Sequence, residues 1–273
     1  MTSVADQFPS DVPDQPELVT CERDGHLAWL TIQRPEVMNC LSFPTLRRFR
    51  TLLEELREDL SIRCLLITGA GEKAFCAGAD LKERKTMPEE RVPEFVRNIR
   101  GLMDDVEAMP QPTIAVIGGF AFGGGTELAL ACDLRVAAEH AKLGLTEVSL
   151  AIIPGAGGTQ RLPRLVGKSR AKDLILTGRR IDAVEAERIG LVNRVAPEGA
   201  LRETALEVAN SIAANGPVAV RAAKDAIDQG SELEIGKGLE HEAVCYQRVL
   251  GTQDRLEALA AFAEKRKPNF QGA

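Results

Sequence analysis

An α/β core followed by a helical C-terminal part is the fold class this sequence predicts. Two observations carry the prediction. From Leu27 to Ala137, short apolar runs of strand character alternate with amphipathic helical stretches, the pattern of strand–helix units with right-handed crossovers. Beyond about Pro163 the chain becomes a series of helical stretches separated by glycine or proline breaks.

The elements follow in order. Leu27–Ile32 is a short apolar strand that ends at Arg34-Pro35. Pro44–Leu60 places Leu46, Phe49, Leu52, Leu53 and Leu56 on one helical face. Arg63–Thr68 reads as a buried strand, closed by Gly69-Ala70-Gly71. Glu89–Met109 is a second amphipathic helix, and Thr113–Ile117 another buried strand. A helix opens near Gly125, and Leu134–Ala137 returns as a strand. The later helices are Ala171–Thr177, Ala183–Ile189, Leu201–Ala214, Pro217–Gln229, Leu233–Leu250 and Arg255–Lys267. The expected organisation is a flexible tail over 1–16, an α/β core over 17–200 and a helical region over 201–273.

With 273 residues, the chain can bury one sizeable core. Its net charge of −6 argues against a general nucleic-acid binder, which carries a basic face. Around Pro44–Asp59, Arg47, Arg48, Arg50 and Arg57 are balanced by Glu54, Glu55, Glu58 and Asp59, which argues against RNA binding there. The six cysteines are scattered, and no CxxC or HxxxH pattern suggests a metal. They read as small core residues in a reducing compartment. No apolar run is long enough to span a bilayer, and the polar first residues resemble no targeting segment. The expectation is a cytoplasmic protein with no membrane partner.

Three segments could carry chemistry. The first is Ala74-Phe75-Cys76-Ala77-Gly78-Ala79-Asp80-Leu81-Lys82-Glu83-Arg84, just after a strand. In the second, Gly118-Gly119-Phe120-Ala121-Phe122-Gly123-Gly124-Gly125-Thr126-Glu127, glycines open into a helix with an acid in its first turn. Glycines let a backbone approach a ligand, and a helix N-terminus favours negative charge. The third holds Glu147, followed by Ile153-Pro154-Gly155-Ala156-Gly157-Gly158-Thr159. Glu127 and Glu147 are 147 − 127 = 20 residues apart, enough for a helix and a returning strand to bring both to one sheet edge. The residues alone also allow a plainer reading. The glycines could serve tight turns only, Glu127 could be a carboxylate favoured at a helix start, and Glu147 a surface acid. Cys76 reads as packing. Rival motifs are absent: Leu162 occupies the first glycine of a phosphate loop before Gly167-Lys168-Ser169, and there is no G-x-S-x-G elbow.

Longer stretches carry a more specific signal. Arg34-Pro35 with Asn39-Cys40-Leu41, the run Lys73–Lys82, Gly123–Ala129, Ile153–Leu162 and Phe262–Arg266 together resemble the crotonase (enoyl-CoA hydratase/isomerase) superfamily from about residue 17 onward. Cys40 is one departure, where the family usually has alanine. The resemblance implies a spiral of ββα units with C-terminal helices that form trimers, commonly paired into hexamers. It implies an acyl-CoA thioester as substrate, no cofactor beyond the coenzyme A it carries, and no metal. By matching positions, Ala77 and Gly124 would supply the oxyanion hole, and Glu127 and Glu147 the catalytic acids. Ala77, Gly78, Ala79, Asp80, Lys82, Phe262 and Lys265 would contact substrate or coenzyme A. Arg84 and Tyr246 would lie near the acyl tail.

The pair of glutamates favours a hydratase, Glu127 activating water and Glu147 protonating C2. Leu81–Arg84, Cys245-Tyr246 and Asp254–Glu257 resemble most the 3-methylglutaconyl-CoA hydratase branch of leucine breakdown. A general short-chain enoyl-CoA hydratase of β-oxidation and an enoyl-CoA isomerase are the alternatives. An RNA-binding or catalytically silent paralogue is a reading of a different class.

Overall fold

The computed structural model describes residues 4–273 and contains two sheets, between which the chain passes back and forth. The strands are β1 (Val19–Asp24), β2 (Leu27–Ile32), β3 (Cys64–Gly69), β4 (Ala74–Cys76), β5 (Thr113–Ile117), β6 (Phe120–Phe122), β7 (Leu134–Ala138), β8 (Lys142–Gly144), β9 (Ile181–Asp182) and β10 (Arg194–Ala196). One sheet has the order β1-β2-β3-β5-β7-β10 and the other β4-β6-β8-β9. Both are parallel except for the β1–β2 and β8–β9 pairs. The successive pairs β3–β4, β5–β6 and β7–β8 each contribute one strand to each sheet. This alternation is the expected spiral of ββα turns. The short second sheet was not legible in advance, because its strands are only two or three residues long and show no period.

The helices are α1 (Phe43–Arg57), α2 (Leu81–Thr86), α3 (Val92–Glu107), α4 (Gly124–Ala131), α5 (Gly158–Val166), α6 (Lys168–Thr177), α7 (Ala183–Arg188), α8 (Leu201–Ala213), α9 (Pro217–Gly230), α10 (Ile235–Leu250) and α11 (Gln253–Glu264). Their apolar faces explain where they sit. Leu46, Phe49, Leu53 and Leu56 of α1 are buried in one core cluster with Phe95, Leu102 and Val106 of α3. The other face of the larger sheet, carrying Leu27, Trp29, Leu66 and Val116, is covered by Ala205 and Ala209 of α8. β5 is buried along its whole length, as expected of a parallel strand covered on both faces.

The N-terminal expectation changes. Residues 4–16 are not a free tail: Val4, Phe8 and Val12 are buried in the main cluster, and Phe8 meets Phe43 edge-on. Three apolar side chains spaced four residues apart in a polar segment are enough to dock it. Residues 1–3 of that expected tail lie outside the described residues. No helix among the described residues is long and apolar enough to cross a membrane.

Candidate active site

The glycine turn between β6 and α4 brings two backbone segments into contact. A Cβ at Gly125 would lie 1.8 Å from the Cys76 carbonyl oxygen, so the end of β4 packs directly on the start of α4. Gly78 has φ +93°, and a Cβ there would lie 2.9 Å from the Phe122 carbonyl oxygen and 3.0 Å from the Gly124 nitrogen. Only glycine meets both the conformation and the clearance. Ala77–Ala79 is thereby laid against the N-terminus of α4.

Hydrogen bonding decides which amides face outward. The Ala77 N–H donates to the Met38 carbonyl at 3.0 Å, the Gly78 N–H to Cys76 Sγ at 3.4 Å, and the Asp80 N–H to the Leu41 carbonyl at 2.9 Å. Among the described residues, the Ala79 N–H meets no protein acceptor. The Gly124 N–H, in the first turn of α4, likewise meets none. The expectation for Ala77 is therefore corrected: its N–H is occupied, and Ala79 is the residue of this segment with an amide left beside Gly124. The cause lies upstream. Met38 and Asn39 both adopt left-handed conformations, with φ 55°. The buried Asn39 side chain accepts from the Arg34 N–H and donates to the carbonyls of Ala70 and Ala74, fixing the turn that presents Met38.

Two carboxylates flank these amides. Glu127, in the first turn of α4, is 3% exposed. Its Oε1 accepts the N–H groups of Ala156 and Gly158, each at 2.8 Å. Burial pushes its pKa up, and the two amide bonds pull the other way. The loop that donates these two bonds is clamped by Arg161, which donates to the Ala156 carbonyl at 3.0 Å and pairs with Glu107 at 2.6 Å and Asp104 at 3.1 Å.

Glu147 follows β8 and opens a short 3-10 helix, Glu147–Leu150. Its position is set through Thr126, whose hydroxyl accepts the Gly144 N–H at 3.2 Å and lies 2.6 Å from the Ala121 carbonyl oxygen. A Cβ on Gly123 would come within 3.1 Å of Glu147 Oε1, so the carboxylate lies against the glycine turn. Glu147 Oε2 is buried with no protein partner. Burial raises its pKa to about 7, and the Glu127 charge adds to the rise. The fold thus brings Ala79, Gly124, Glu127 and Glu147 into one neighbourhood.

The other expected residues divide. Asp80 caps α2 through the Lys82 and Glu83 N–H groups and pairs with Arg34 at 2.9 Å, so its carboxylate anchors the loop. Burial opposes ionisation there, but Arg34 and the amides hold its pKa below the usual value. Lys82 and Arg84 lie on α2, and neither pairs with a carboxylate among the described residues. Tyr246 on α10 is 61% exposed and Phe262 on α11 is 85% exposed. Lys265 is the left-handed C-cap of α11. Among the described residues, no hydrogen bond or ion pair joins these three to the site. The Cys76 thiol is pushed to about 12 by burial, which suits packing and not nucleophilic attack.

Ala156, Gly158, Arg161, Thr126 and Met38 carry roles that their place in the sequence does not assign. One signal was available for the first two. Gly155-Ala156-Gly157-Gly158 follows Glu147 closely, and such a run can offer several amides to one acceptor.

Comparison with known proteins agrees with this arrangement. The family model described as enoyl-CoA hydratase/isomerase matches residues 22–273. The human enoyl-CoA hydratase domain-containing protein 2, mitochondrial, is 47% identical over 253 residues, covering 91% of this chain and 87% of its own. The mouse methylglutaconyl-CoA hydratase, mitochondrial, is 46% identical over 255 residues, covering 92% and 81%. The crystal structure of enoyl-CoA hydratase from Bacillus anthracis superposes with a TM-score of 0.93 at 52% identity, covering 94% of this chain and all of that one.

Proposed function

Because the chain belongs to the enoyl-CoA hydratase/isomerase family, we propose that it hydrates 2-enoyl-CoA thioesters to 3-hydroxyacyl-CoA. One observation carries the reading: a buried carboxylate and a half-buried one with a pKa near 7 stand beside two backbone amides that meet no acceptor among the described residues. Adding water at C3 moves negative charge onto the thioester oxygen. In this reading the Ala79 and Gly124 N–H groups receive that oxygen, aided by the N-terminus of α4. Such a donor is worth about 3 kcal/mol in the transition state.

The carboxylates divide the proton work. Glu127 has Oε1 held by two amides, which leaves Oε2 to orient a water and take its proton. Glu147 carries a proton for about half the time at neutral pH and delivers it to C2. The pair titrates as a unit, because each charge disfavours the other. An isomerase only relocates a proton along the acyl chain and has no need of a water-holding carboxylate, so two acids favour hydration. The direct test follows loss of the enoyl absorbance of crotonyl-CoA in Glu127→Gln and Glu147→Gln variants. Undiminished turnover in Glu147→Gln would overturn the reading.

We read the substrate more finely as an enoyl-CoA with a distal carboxylate, of the 3-methylglutaconyl type. Support comes from Lys82 and Arg84, cations just beyond Ala79 with no counter-ion among the described residues, and from the name of the mouse relative. A charge-assisted bond to a carboxylate suits them. Crotonyl-CoA and 3-methylglutaconyl-CoA turned over side by side would test this; a large preference for crotonyl-CoA would sink it. The reading calls for no cofactor beyond the coenzyme A of the substrate. We also propose a hexamer working in the cytoplasm. Exposed Ile235, Leu239, Leu259 and Phe262 on the C-terminal helices support assembly, and six free cysteines support a reducing compartment. Light scattering on the purified chain checks the oligomer.

A further inference from the structure

The geometry points to a transition-metal site between α9 and α10, formed by Asp225, His241 and Cys245 and suited to zinc. The hydration chemistry uses none of these residues, and of the three only Cys245 falls in a stretch that carries the resemblance to the 3-methylglutaconyl branch. His241 and Cys245 lie four residues apart on α10, which places them on one helical face, and Asp225 faces them from α9. His241 Nε2 is 3.4 Å from Asp225 Oδ1 and 3.5 Å from Cys245 Sγ, and Cys245 Sγ is 3.6 Å from Asp225 Oδ2. A tetrahedral zinc with bonds of about 2.0–2.3 Å holds its ligand atoms roughly 3.3–3.6 Å apart. Each pair stands near those separations, the imidazole facing Asp225 Oδ1 and the thiol facing Asp225 Oδ2, and one ligand atom from each of the three residues lies within 4.8 Å of the others.

Chemistry separates this reading from its rival. A Cys–His–Asp relay needs the carboxylate on one ring nitrogen and the thiol on the other. Here a single nitrogen, Nε2, faces both. The three side chains gather in one cluster, as a coordination site requires. The donor set of one thiolate, one imidazole and one carboxylate suits zinc or cobalt over magnesium or calcium. Binding releases the thiol proton to solvent as the S–metal bond forms, and a water takes the fourth position.

The surroundings allow entry and set one limit. Asp225 and His241 side chains are 31% and 25% exposed, and Asp225 and Arg248 line an open cavity of about 1130 Å³. Arg248 pairs with Asp225 and competes with a metal for the carboxylate. The two helices approach closely near their turn, where a Cβ on Gly238 would lie 3.0 Å from the Gly230 carbonyl oxygen. A bound ion would tie the two helices together below that turn. The absence of a CxxC or HxxxH pattern hid this site, since its third donor comes from another helix.

The test titrates the chelator-treated full chain with Co²⁺ and follows the thiolate-to-cobalt charge-transfer band. One equivalent per chain is expected, displaced by Zn²⁺. Cys245→Ser should abolish the band, His241→Ala should weaken binding by roughly tenfold or more, and Arg248→Ala should strengthen it. Zn²⁺ should also raise the Tm of the wild type and leave that of Cys245→Ser unchanged. Glu147→Gln should bind Co²⁺ as the wild type does, which keeps this outcome separate from the hydratase reading. Absence of the band, or its survival in Cys245→Ser, would overturn the site.

Discussion

Glu127 Oε1 accepts the Gly158 N–H at 2.8 Å, and this bond ties the acid on α4 to the first residue of α5. A Cβ added at Gly158 would lie 2.9 Å from Leu145 Cδ1, 3.0 Å from Pro154 Cβ and 3.1 Å from Glu127 Oε1. Gly158→Ala must displace either the loop or the carboxylate. Steady-state kinetics should show kcat lowered by about 10²-fold, with KM changed far less.

Arg161 is a positioning residue for the same carboxylate, acting through the Ala156 carbonyl. Replacing it with Ala should lower kcat by roughly tenfold, and Lys should restore only part, because a single ammonium cannot reproduce the forked contacts to Ala156, Glu107 and Asp104. The pH profile gives an independent reading. With the amides less firmly held, the acid limb assigned to Glu127 should move upward, and a merely structural role would leave that limb in place.

The Ala79 amide can be tested without changing any side chain. Replacing residue 79 with its α-hydroxy-acid counterpart exchanges the N–H for an ester oxygen. That change should reduce kcat by about 10²-fold. The same exchange at residue 77 should instead lower thermal stability, since it deletes the bond to Met38. Equal kinetic losses at both positions would contradict the assignment.

Glu147, with a pKa near 7, predicts opposite pH limbs for the two directions of the reaction. Hydration needs the protonated acid and should decline as pH rises through about 7; dehydration needs the carboxylate and should rise over the same range. Initial rates in both directions on one enzyme preparation check this.

The same residue should cost stability. Its folded pKa lies above the ordinary value of 4.5, so the folded state binds its proton more tightly than the unfolded chain does. The stabilisation belongs to low pH and is lost as pH rises from 4.5 through about 7. Glu147→Gln should therefore be more stable than the wild type at pH 8, by on the order of 2 kcal/mol after allowing for partial solvent access. The gap should close as pH falls towards 4.5. Thermal melts across that range would show it, and a variant less stable at pH 8 would refute it.

Much of this protein is written in its residue order. Apolar patterning marks α1, α3 and four strands of the larger sheet, β2, β3, β5 and β7, because each must bury a stripe or face of its own. The glycines and acids of the site are equally local, since close approach demands glycine whatever surrounds it. Tertiary structure alone decided three things. It assigned the outward amide to Ala79, because a left-handed turn some forty residues earlier presents the Met38 carbonyl to Ala77. It gave Glu147 its pKa, because burial and the Glu127 charge are properties of neighbours and not of spacing. It gathered Asp225, His241 and Cys245 from two helices. Motifs record which residues are present; the direction of an amide, the affinity of a proton and the meeting of distant side chains depend on partners that only the folded chain brings near.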